Sequence, residues 1–481
     1  MTGWHRRKPI ETARTGPRLT PTLSWPHLMA LGVGAIVGTG ILTLIGTGVD
    51  RAGPAILISF AVAGAICAFA ALAYAEMATM MPAAGSAYTY SYAVLGETIA
   101  WIVGWSLILE YSLVVSTVAV GWSGYASPLL EQHLGLPHYL THGPTLGGIA
   151  CDGKVQQASF GMNLPAIGII AIVTALLVRG THDSARVNTA LVILKMATLT
   201  LFVAVVFPHF NAANLHPFAP FGYGSEAGAC GVKRGAMGAA AIIFFSFYGF
   251  DAISTAAEEA KRPERDLAIG IVGSMLVCTL IYVLVAAAAV GALPYTKFAN
   301  SSETLALILR ELGQDRVAQV VAIAAVIALP TVILGFLYGQ SRIFLGMARD
   351  GFLPPRLAVI SRRGTPVRIT VLTAVVVAIL AGALPIDQIA ALANAGTLIA
   401  FIAVAICMLV MRRRAPHIKR PFRTPLVWLV GPGAILGCLY LFSSLPLKTI
   451  LWCLLWNAFG LAIYAFYGRH RSLLGQEAPR L

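Results

Sequence analysis

The sequence predicts an all-α integral membrane protein with twelve transmembrane helices, two of them interrupted. Two observations predict this fold class. Hydrophobic residues make up 58% of the 481 residues and charged residues only 11%, whereas charged residues are about a quarter of a typical soluble domain. In addition, apolar runs long enough to cross the hydrocarbon of a bilayer recur along the chain. Together these observations exclude a soluble globular protein.

The apolar runs are about 20 residues long, which is the length that a membrane-spanning helix needs. The first six predicted spans cover residues 26–49, 54–80, 98–124, 163–179, 187–207 and 236–258. The other six cover residues 267–292, 317–346, 369–385, 388–411, 426–445 and 448–467. A polar, basic N-terminal segment (1–25) precedes the spans, and a short tail (468–481) follows them.

The positive charges predict the orientation of the spans, because Lys and Arg collect in cytoplasmic loops. With the N-terminus inside, 25 of the 34 cationic side chains fall in cytoplasmic segments and eight fall in outer loops. Both termini are therefore predicted to be cytoplasmic, in the inner (cytoplasmic) membrane of a bacterium. The net charge of +14 follows from this topology, so the lipid bilayer is an expected partner and nucleic acid is not.

Two of the predicted spans carry residues that interrupt a helix. Gly38, Thr39 and Gly40 lie inside the first span, and residues 246–249 lie inside the sixth. An unwound backbone at membrane depth survives only where protein or cavity water satisfies its polar groups. Paired breaks therefore indicate an inverted-repeat transporter with its binding site near the bilayer midplane. The alternative for the first break is close helix packing, because Gly34 and Gly38 form a GxxxG motif.

The polarity of the two breaks predicts the ligand. The outer half-helix that begins at Thr39 and Gly40 presents free N–H groups and a positive dipole end, which suit a carboxylate. Carbonyl oxygens freed near Ser246 and Tyr248 suit an ammonium group. The two breaks together therefore fit the backbone of an α-amino acid. Phe245, directly before the second break, either lines the site or only packs.

Three ionisable residues are predicted at membrane depth, namely Lys195, Glu110 and Asp251. Lys195 lies about nine residues inside its span, too deep for its ammonium to reach water, so it needs a partner or must lose its proton. Such a residue indicates function, and we expect it to couple transport to protons; the alternative is a permanently paired lysine that braces helices. Glu110 and Asp251 either face the substrate pocket or bond to neighbouring helices.

Neither the cysteines nor any catalytic motif indicates an enzyme or a metal site. Cys151 and Cys230 fall in loops predicted to be outside, where they either form a disulfide or remain two unpaired thiols. The other five cysteines lie inside spans. The sequence has no GxxxxGK[ST] and no HExxH motif, so we expect neither an enzyme nor a nucleotide-driven pump, and no metal or cofactor.

Several motifs occur in one order along nearly the whole chain. They are residues 6–8 (RRK), 34–41 (GAIVGTGI), 249–251 (GFD), 258–266 (EEAKRPERD), 338–342 (YGQSR) and 347–351 (MARDG). With these motifs the chain resembles the amino acid–polyamine–organocation superfamily, and within it bacterial members of the cationic amino acid transporter family. The resemblance implies a five-plus-five inverted repeat (26–207 and 236–411) with two additional helices (426–467).

The resemblance also implies roles for individual residues, at a site between spans 1, 3, 6 and 8. The backbone amides of Thr39 and Gly40 would bind the substrate carboxylate. The ammonium group would bind backbone carbonyls, those of Ile36, Phe245, Ser246 and Tyr248.

The same resemblance places Lys195 where sodium-coupled relatives hold a cation. Its partners would be the carbonyls of Gly34 and Val37, with Thr331 nearby. Pro330 departs from the family pattern, in which a hydroxyl residue is more usual, so a sodium site is not expected and the proton is the expected coupling ion.

These observations predict a proton-coupled symporter that takes up an amino acid by alternating access. One alternative is an amino acid exchanger without proton coupling, and another is a membrane receptor that binds amino acids without transporting them. The sequence leaves open whether the substrate is cationic or small and neutral. It also leaves open whether the chain forms a homo-oligomer or binds a small accessory membrane subunit.

Overall fold

The structure is a computed structural model, which describes residues 6–9, 21–144, 148–149, 155–156, 160–227, 233–298, 303–361, 365–383 and 386–474. Helices make up nearly all of the regular structure in these ranges. Cys151 and Cys230 lie outside the described residues, so their predicted disulfide stays a prediction. The other five cysteines, Cys67, Cys278, Cys407, Cys438 and Cys453, are free and buried.

The helices follow one another in chain order. In the first half they are α1 (Trp25–Ile36), α2 (Ile45–Ala52), α3 (Ile56–Met80), α4 (Ser86–Val94), α5 (Glu97–Leu134), α6 (His138–Thr141), α7 (Leu164–Arg179) and α8 (Thr181–Val206). In the second half they are α9 (Ala236–Ile243), α10 (Asp251–Thr255), α11 (Pro263–Ala292), α12 (Thr304–Glu311), α13 (Asp315–Ala328), α14 (Pro330–Arg349), α15 (Val367–Ala383), α16 (Ile386–Arg414), α17 (Val427–Ser443), α18 (Leu447–Ile463) and α19 (Arg469–Arg471).

Shorter elements fill the connections. Within the described ranges, two π-helical segments occur, at Gly40–Leu44 and Tyr464–Gly468. The 3₁₀ segments are Gly53–Ala55, Phe207–His209, Ala212–Leu215, Phe244–Ser246, Ala257–Glu259, Tyr295–Lys297 and Pro355–Leu357. Two small antiparallel hairpins pair β1 (Gly148–Ile149) with β2 (Val155–Gln156) and β3 (Glu226–Ala227) with β4 (Lys233–Arg234).

The lengths of the helices agree with a protein that crosses the membrane several times. Among the described residues, eight helical stretches are long and apolar enough to cross a bilayer, and three shorter helices, in α7, α15 and α17, are also apolar. The first stretch, Trp25–Met80, contains two of the predicted spans. The exact number of crossings, the domain boundaries and the inverted repeat remain predictions.

A belt of large apolar side chains covers the outside of the helical bundle. It includes residues that are 60% exposed or more on five helices: Ile193, Leu280, Ile379, Leu436 and Leu455. Exposed apolar surface of this extent is unusual for a soluble protein. It is the surface that lipid tails would cover.

The helices that carry the two breaks lie at the centre of the bundle. Helix α11 packs against α1 and α3, while α5 packs against α14 and α16. Glycines permit the close approach of these helices: a Cβ at Gly32 would lie 2.4 Å from Ile253 of α10, and one at Gly335 would lie 3.1 Å from Ala35 of α1.

Ion pairs join the helix ends on the predicted cytoplasmic side. The Lys8 ammonium lies 2.6 Å from Asp350, which also accepts a hydrogen bond of 2.8 Å from Tyr88. Arg349 pairs with Glu258 at 3.0 Å. The N-terminal segment joins the same cluster, because the amides of Thr22 and Leu23 donate to the Glu259 carbonyl at 2.9 Å.

A second group of charges holds α3 to the connection after α16. Glu76 is fully buried and lies 2.6 Å from Arg412 and 3.4 Å from Arg420. It also accepts the backbone N–H of Thr424 at 2.8 Å. These contacts come from positions about 340 residues apart in sequence, so the charge spacing alone could not reveal them.

Replacing Glu259 with alanine is expected to destabilise the protein strongly. Glu259 pairs with Arg342 at 2.9 Å, and both side chains are only 2% exposed. Removing one partner of a buried pair leaves an uncompensated charge, which costs about 3–5 kcal/mol. Thermal unfolding in detergent should show a much lower midpoint for Glu259→Ala, and Glu259→Ala/Arg342→Met should recover part of the loss.

The matched control for this prediction is Glu264→Ala. Glu264 lies 3.6 Å from Lys419, and these side chains are 63% and 79% exposed. An exposed pair of this kind contributes only about 0–1 kcal/mol. Equal losses for Glu259→Ala and Glu264→Ala would contradict the importance of the buried pair.

Candidate functional site

The first break follows the end of α1. The helix ends at Ile36, and Val37 has an extended conformation with φ −74° and ψ 101°. Helical structure resumes at Thr39 and continues in the π-helical segment Gly40–Leu44. The first amides of the new segment have no carbonyl partner within their own helix. The break therefore brings backbone N–H groups to the centre of the bundle, where the sequence predicted a carboxylate site.

The second break follows the end of α9. A 3₁₀ turn, Phe244–Ser246, ends the helix, and helical structure resumes at Asp251. Between them Gly249 has φ +124°, a conformation that side chains disfavour. A Cβ at Gly249 would also lie 2.9 Å from the carbonyl carbon of Ala35. This position therefore requires glycine, both for its conformation and for its contact with the end of α1.

The two breaks are in direct contact. A Cβ added at Gly40 would lie 2.4 Å from both the Cα and the Oγ of Ser246. Real Cβ atoms do not approach other atoms so closely, so a larger residue at Gly40 would push the breaks apart. The backbones that were predicted to bind the two ends of an amino acid therefore meet at one place.

A small cavity lies at this junction. One part of its wall is formed by the end of α1 together with the first break. The other parts are formed by the second break, by α5 and by α14. The lining residues are Ala35, Ile36, Gly38, Thr39, Gly40, Val114, Val118, Phe245, Tyr248, Val332 and Phe336. They belong to the predicted spans 1, 3, 6 and 8.

Three buried hydroxyl groups at the junction have no hydrogen-bond partner among the described residues. They belong to Thr39, Ser246 and Tyr248, which are all 2% exposed or less. A buried hydroxyl without a partner costs about 1–3 kcal/mol. Unpartnered polar groups beside a cavity indicate a site that is made to bind a polar ligand.

The carbonyl of Ile36 has a partner within the protein. The Tyr282 hydroxyl donates to it at 2.8 Å. A substrate ammonium would therefore share this oxygen with Tyr282 or displace it. No sequence pattern indicated this contact, because Tyr282 lies on α11, about 250 residues away.

Lys195 of α8 lies against the first break. It is only 2% exposed, and its ammonium donates to the Gly34 carbonyl at 3.1 Å, to the Val37 carbonyl, and to the Thr331 hydroxyl at 2.5 Å. An ammonium has three N–H donors, and here each has one acceptor. The four residues named together from the sequence are thus in contact.

Pro330 does not disturb the contact between Thr331 and Lys195. Helix α13 ends at Ala328, and α14 begins at Pro330, at a position where proline removes no helical hydrogen bond. The Thr331 hydroxyl lies within hydrogen-bond distance of the Ala328 carbonyl at 2.8 Å and the Gly34 carbonyl at 3.1 Å. The departure from the family pattern at Pro330 therefore leaves the contact with Lys195 intact.

Glu110 and Asp251 are both buried, but neither lines the cavity. Asp251 accepts hydrogen bonds from the Tyr111 hydroxyl and from the Gly249 amide, the latter at 3.1 Å. Its carboxylate therefore supports the second break. Neither oxygen of Glu110 has a hydrogen-bond donor among the described residues.

The sequence did not identify the residues that form the apolar wall of the cavity. Val114 and Val118 are four residues apart on α5, and Val332 and Phe336 are four apart on α14. This spacing places each pair on one face of its helix. It is a signal that could have been found, but it recurs throughout a membrane helix and does not by itself distinguish a pocket from packing.

The chain is similar to known membrane permeases. Residues 23–468 match the family model described as amino acid permease. The branched-chain amino acid permease BcaP of Bacillus subtilis (strain 168) is 43% identical over 451 residues, which are 93% of each chain.

Two further relatives have other names. The methylthioribose transporter of the same organism is 39% identical over 99% of this chain and 100% of its own. The vacuolar cationic amino acid transporter 4 of Arabidopsis thaliana is 36% identical over 85% of this chain and 67% of its own. The matching family model and these relatives show that the chain belongs to the amino acid permease family of the amino acid–polyamine–organocation superfamily, as its motifs indicated.

Proposed function

We propose that this protein is a proton-coupled symporter that takes up neutral amino acids with apolar side chains. The observation that carries the proposal is the cavity between the two breaks. Its polar part consists of backbone groups and of buried hydroxyls without partners, and its remaining wall is apolar. This combination fits a zwitterionic backbone with an uncharged side chain.

The polar part would bind the groups that every amino acid shares. The amides that begin the half-helix at Thr39 and Gly40 suit the carboxylate, since the positive end of a helix dipole favours an anion. The carbonyls around Phe245, Ser246 and Tyr248 suit the ammonium. Because backbone groups make these contacts, they do not select among amino acids.

The apolar wall would select the side chain. Val114, Val118, Val332 and Phe336 offer no group that could pair with a cationic side chain. The buried carboxylates of Glu110 and Asp251 lie outside the lining, and Asp251 already has two donors. A lysine or arginine side chain would lose its hydration without gaining a partner, which is costly. The name of the Bacillus subtilis branched-chain amino acid permease supports the same selectivity for apolar side chains.

Lys195 would carry the coupling proton. A protonated Lys195 has three donors for its three acceptors, while a neutral amine has only two. Loss of the proton would therefore weaken the contacts that join α8 to the first break and to α14. Since the first break also forms the substrate site, proton and substrate binding would be coupled, and this coupling must be reciprocal.

Alternating access would require the cytoplasmic ion pairs to separate. Lys8 with Asp350, Arg349 with Glu258 and Arg342 with Glu259 connect the N-terminal segment, the region after α10 and α14 on that side. Substrate release to the cytoplasm would open a path between these elements. The pairs would form again when the site returns to the outside.

Competition for uptake tests the proposed substrate class. Purified protein in liposomes should accumulate labelled leucine when the proton gradient is directed inward. Excess unlabelled isoleucine or valine should abolish this uptake, while excess arginine or lysine should leave it nearly unchanged. Inhibition by arginine equal to that by valine would contradict the proposed apolar selectivity, and inhibition by methylthioribose alone would contradict an amino acid substrate.

The response of leucine uptake to the proton gradient distinguishes a symporter from an exchanger and from a receptor. A symporter accumulates leucine only with the inward proton gradient. An exchanger would show counterflow of equal size with and without the gradient, and a receptor would bind leucine without any flux. Either result would contradict proton-coupled uptake.

A further inference from the structure

We propose that Glu131, His138 and His142 form a binding site for a divalent transition metal ion of the zinc class. The three side chains lie at the end of α5 that is opposite the arginine-rich loops, on the predicted outer face. The proposal does not depend on the transport mechanism, because none of these residues contacts the cavity or Lys195.

Local structure brings the three side chains together. Glu131 lies in the last turn of α5, which ends before Gly135, a residue with φ +63°. The turn leads into α6, a short helix from His138 to Thr141. His138 and His142 are four residues apart, so their rings stack on one side of this helix with centroids 3.9 Å apart.

The distances suit a metal ion. Nδ1 of His138 lies 3.3 Å from Oε1 of Glu131, and Nδ1 of His142 lies 3.6 Å from the same oxygen. One possible ligand atom from each residue lies within 4.8 Å of the others. A tetrahedral zinc ion with bonds of about 2.1 Å separates its ligand atoms by about 3.4 Å. Only small shifts would therefore bring the three donors to one ion.

The types of donor select the class of ion. Two imidazole nitrogens and one carboxylate oxygen match a zinc site with three protein ligands and an open fourth position. Calcium and magnesium prefer oxygen ligands, so they fit less well. The side chains of His138, His142 and Glu131 are 75%, 47% and 32% exposed, which lets an ion enter from solvent.

Neighbouring groups hold the ligands in place. The Thr141 hydroxyl donates to Glu131 and lies 2.9 Å from Nδ1 of His142. The backbone carbonyl of Thr141 accepts from Ser127 of α5 at 3.1 Å. Such supporting contacts orient metal ligands. The alternative is that the three side chains only form hydrogen bonds at the end of α5, and the experiment distinguishes the two.

Cobalt binding provides the test. Full-length protein in detergent, freed of any polyhistidine tag, is titrated with Co²⁺, and the visible absorption of tetrahedral cobalt is recorded before Zn²⁺ is added. We expect one Co²⁺ per chain, displaced by Zn²⁺. Glu131→Gln and His142→Ala should each weaken cobalt binding by more than about tenfold, since even outer partners of metal ligands contribute that much.

One control variant and one further ligand variant make the outcome decisive. The control, His209→Ala, removes an exposed histidine whose ring contacts only the Val205 carbonyl among the hydrogen bonds of the described residues, and it should retain the cobalt spectrum. His138→Ala, at the most exposed ligand, tests the site if Glu131→Gln fails to fold. Absence of the cobalt spectrum in the unmodified protein, or unchanged affinity in the ligand variants, would overturn the proposal.

Discussion

Lys195→Met is expected to abolish the accumulation of leucine that an inward proton gradient drives. An inward gradient of one pH unit stores about 1.4 kcal/mol, enough for up to about tenfold accumulation. Methionine preserves much of the length of the side chain but removes all three N–H donors to Gly34, Val37 and Thr331. Labelled leucine inside the liposomes should then only equilibrate with the outside concentration.

The control for this experiment is Lys448→Met, because Lys448 lies exposed at the start of α18. It should leave accumulation unchanged. Counterflow without a gradient is measured in parallel, to show that Lys195→Met still folds and binds leucine. If Lys195→Met accumulates leucine as well as the unmodified protein across the pH range, Lys195 is only a brace between helices.

Gly40→Ala is expected to remove substrate binding and to lower stability. The added methyl group would lie 2.4 Å from the backbone of Ser246, and backbone cannot move aside as a flexible side chain can. Overpacking of this kind costs about 1–3 kcal/mol, and about 1.4 kcal/mol is a factor of ten, so leucine uptake should fall by about fivefold or more. Leucine binding to the purified protein and the thermal unfolding midpoint measure the two effects separately.

Gly168→Ala is the matched control for Gly40→Ala. Gly168 lies inside α7, and a Cβ added there meets no atom within 4 Å. Alanine is about 0.5–1 kcal/mol more favourable than glycine within a helix, so this variant should be as stable as the unmodified protein or slightly more so. Normal leucine binding by Gly40→Ala would show that the two breaks do not form the site together.

The sequence predicted the elements that depend on local chemistry. Long apolar runs predict helices, because lipid leaves the backbone no partner other than itself, and α3 and α7 lie within two residues of the predicted spans. The glycines also predicted where the two helices are interrupted. Gly38 and Gly40 allow close contact, and Gly249 allows a backbone conformation that other residues disfavour.

Other features could not be predicted, because they depend on residues that are distant in sequence. The buried pair of Glu259 with Arg342 joins residues 83 positions apart in sequence, and helix α4, between two predicted spans, was not expected at all. The sequence also left open whether Glu110 and Asp251 face the substrate pocket. The direction of a side chain follows from how helices pack, and here neither carboxylate lines the cavity.

The sequence by itself determined that this protein is a helical membrane protein of the amino acid permease family, with two interrupted helices and a buried lysine. The composition predicts the membrane helices, the glycines predict where two of them are interrupted, and the free-energy cost of a charge in lipid marks the lysine as functional. Each of these signals can be read from a short stretch of sequence. The tertiary structure alone decided that the two breaks touch, that Tyr282 donates to the Ile36 carbonyl and that the cavity wall is apolar. Each of these depends on contacts between helices far apart in the chain, which only packing brings together.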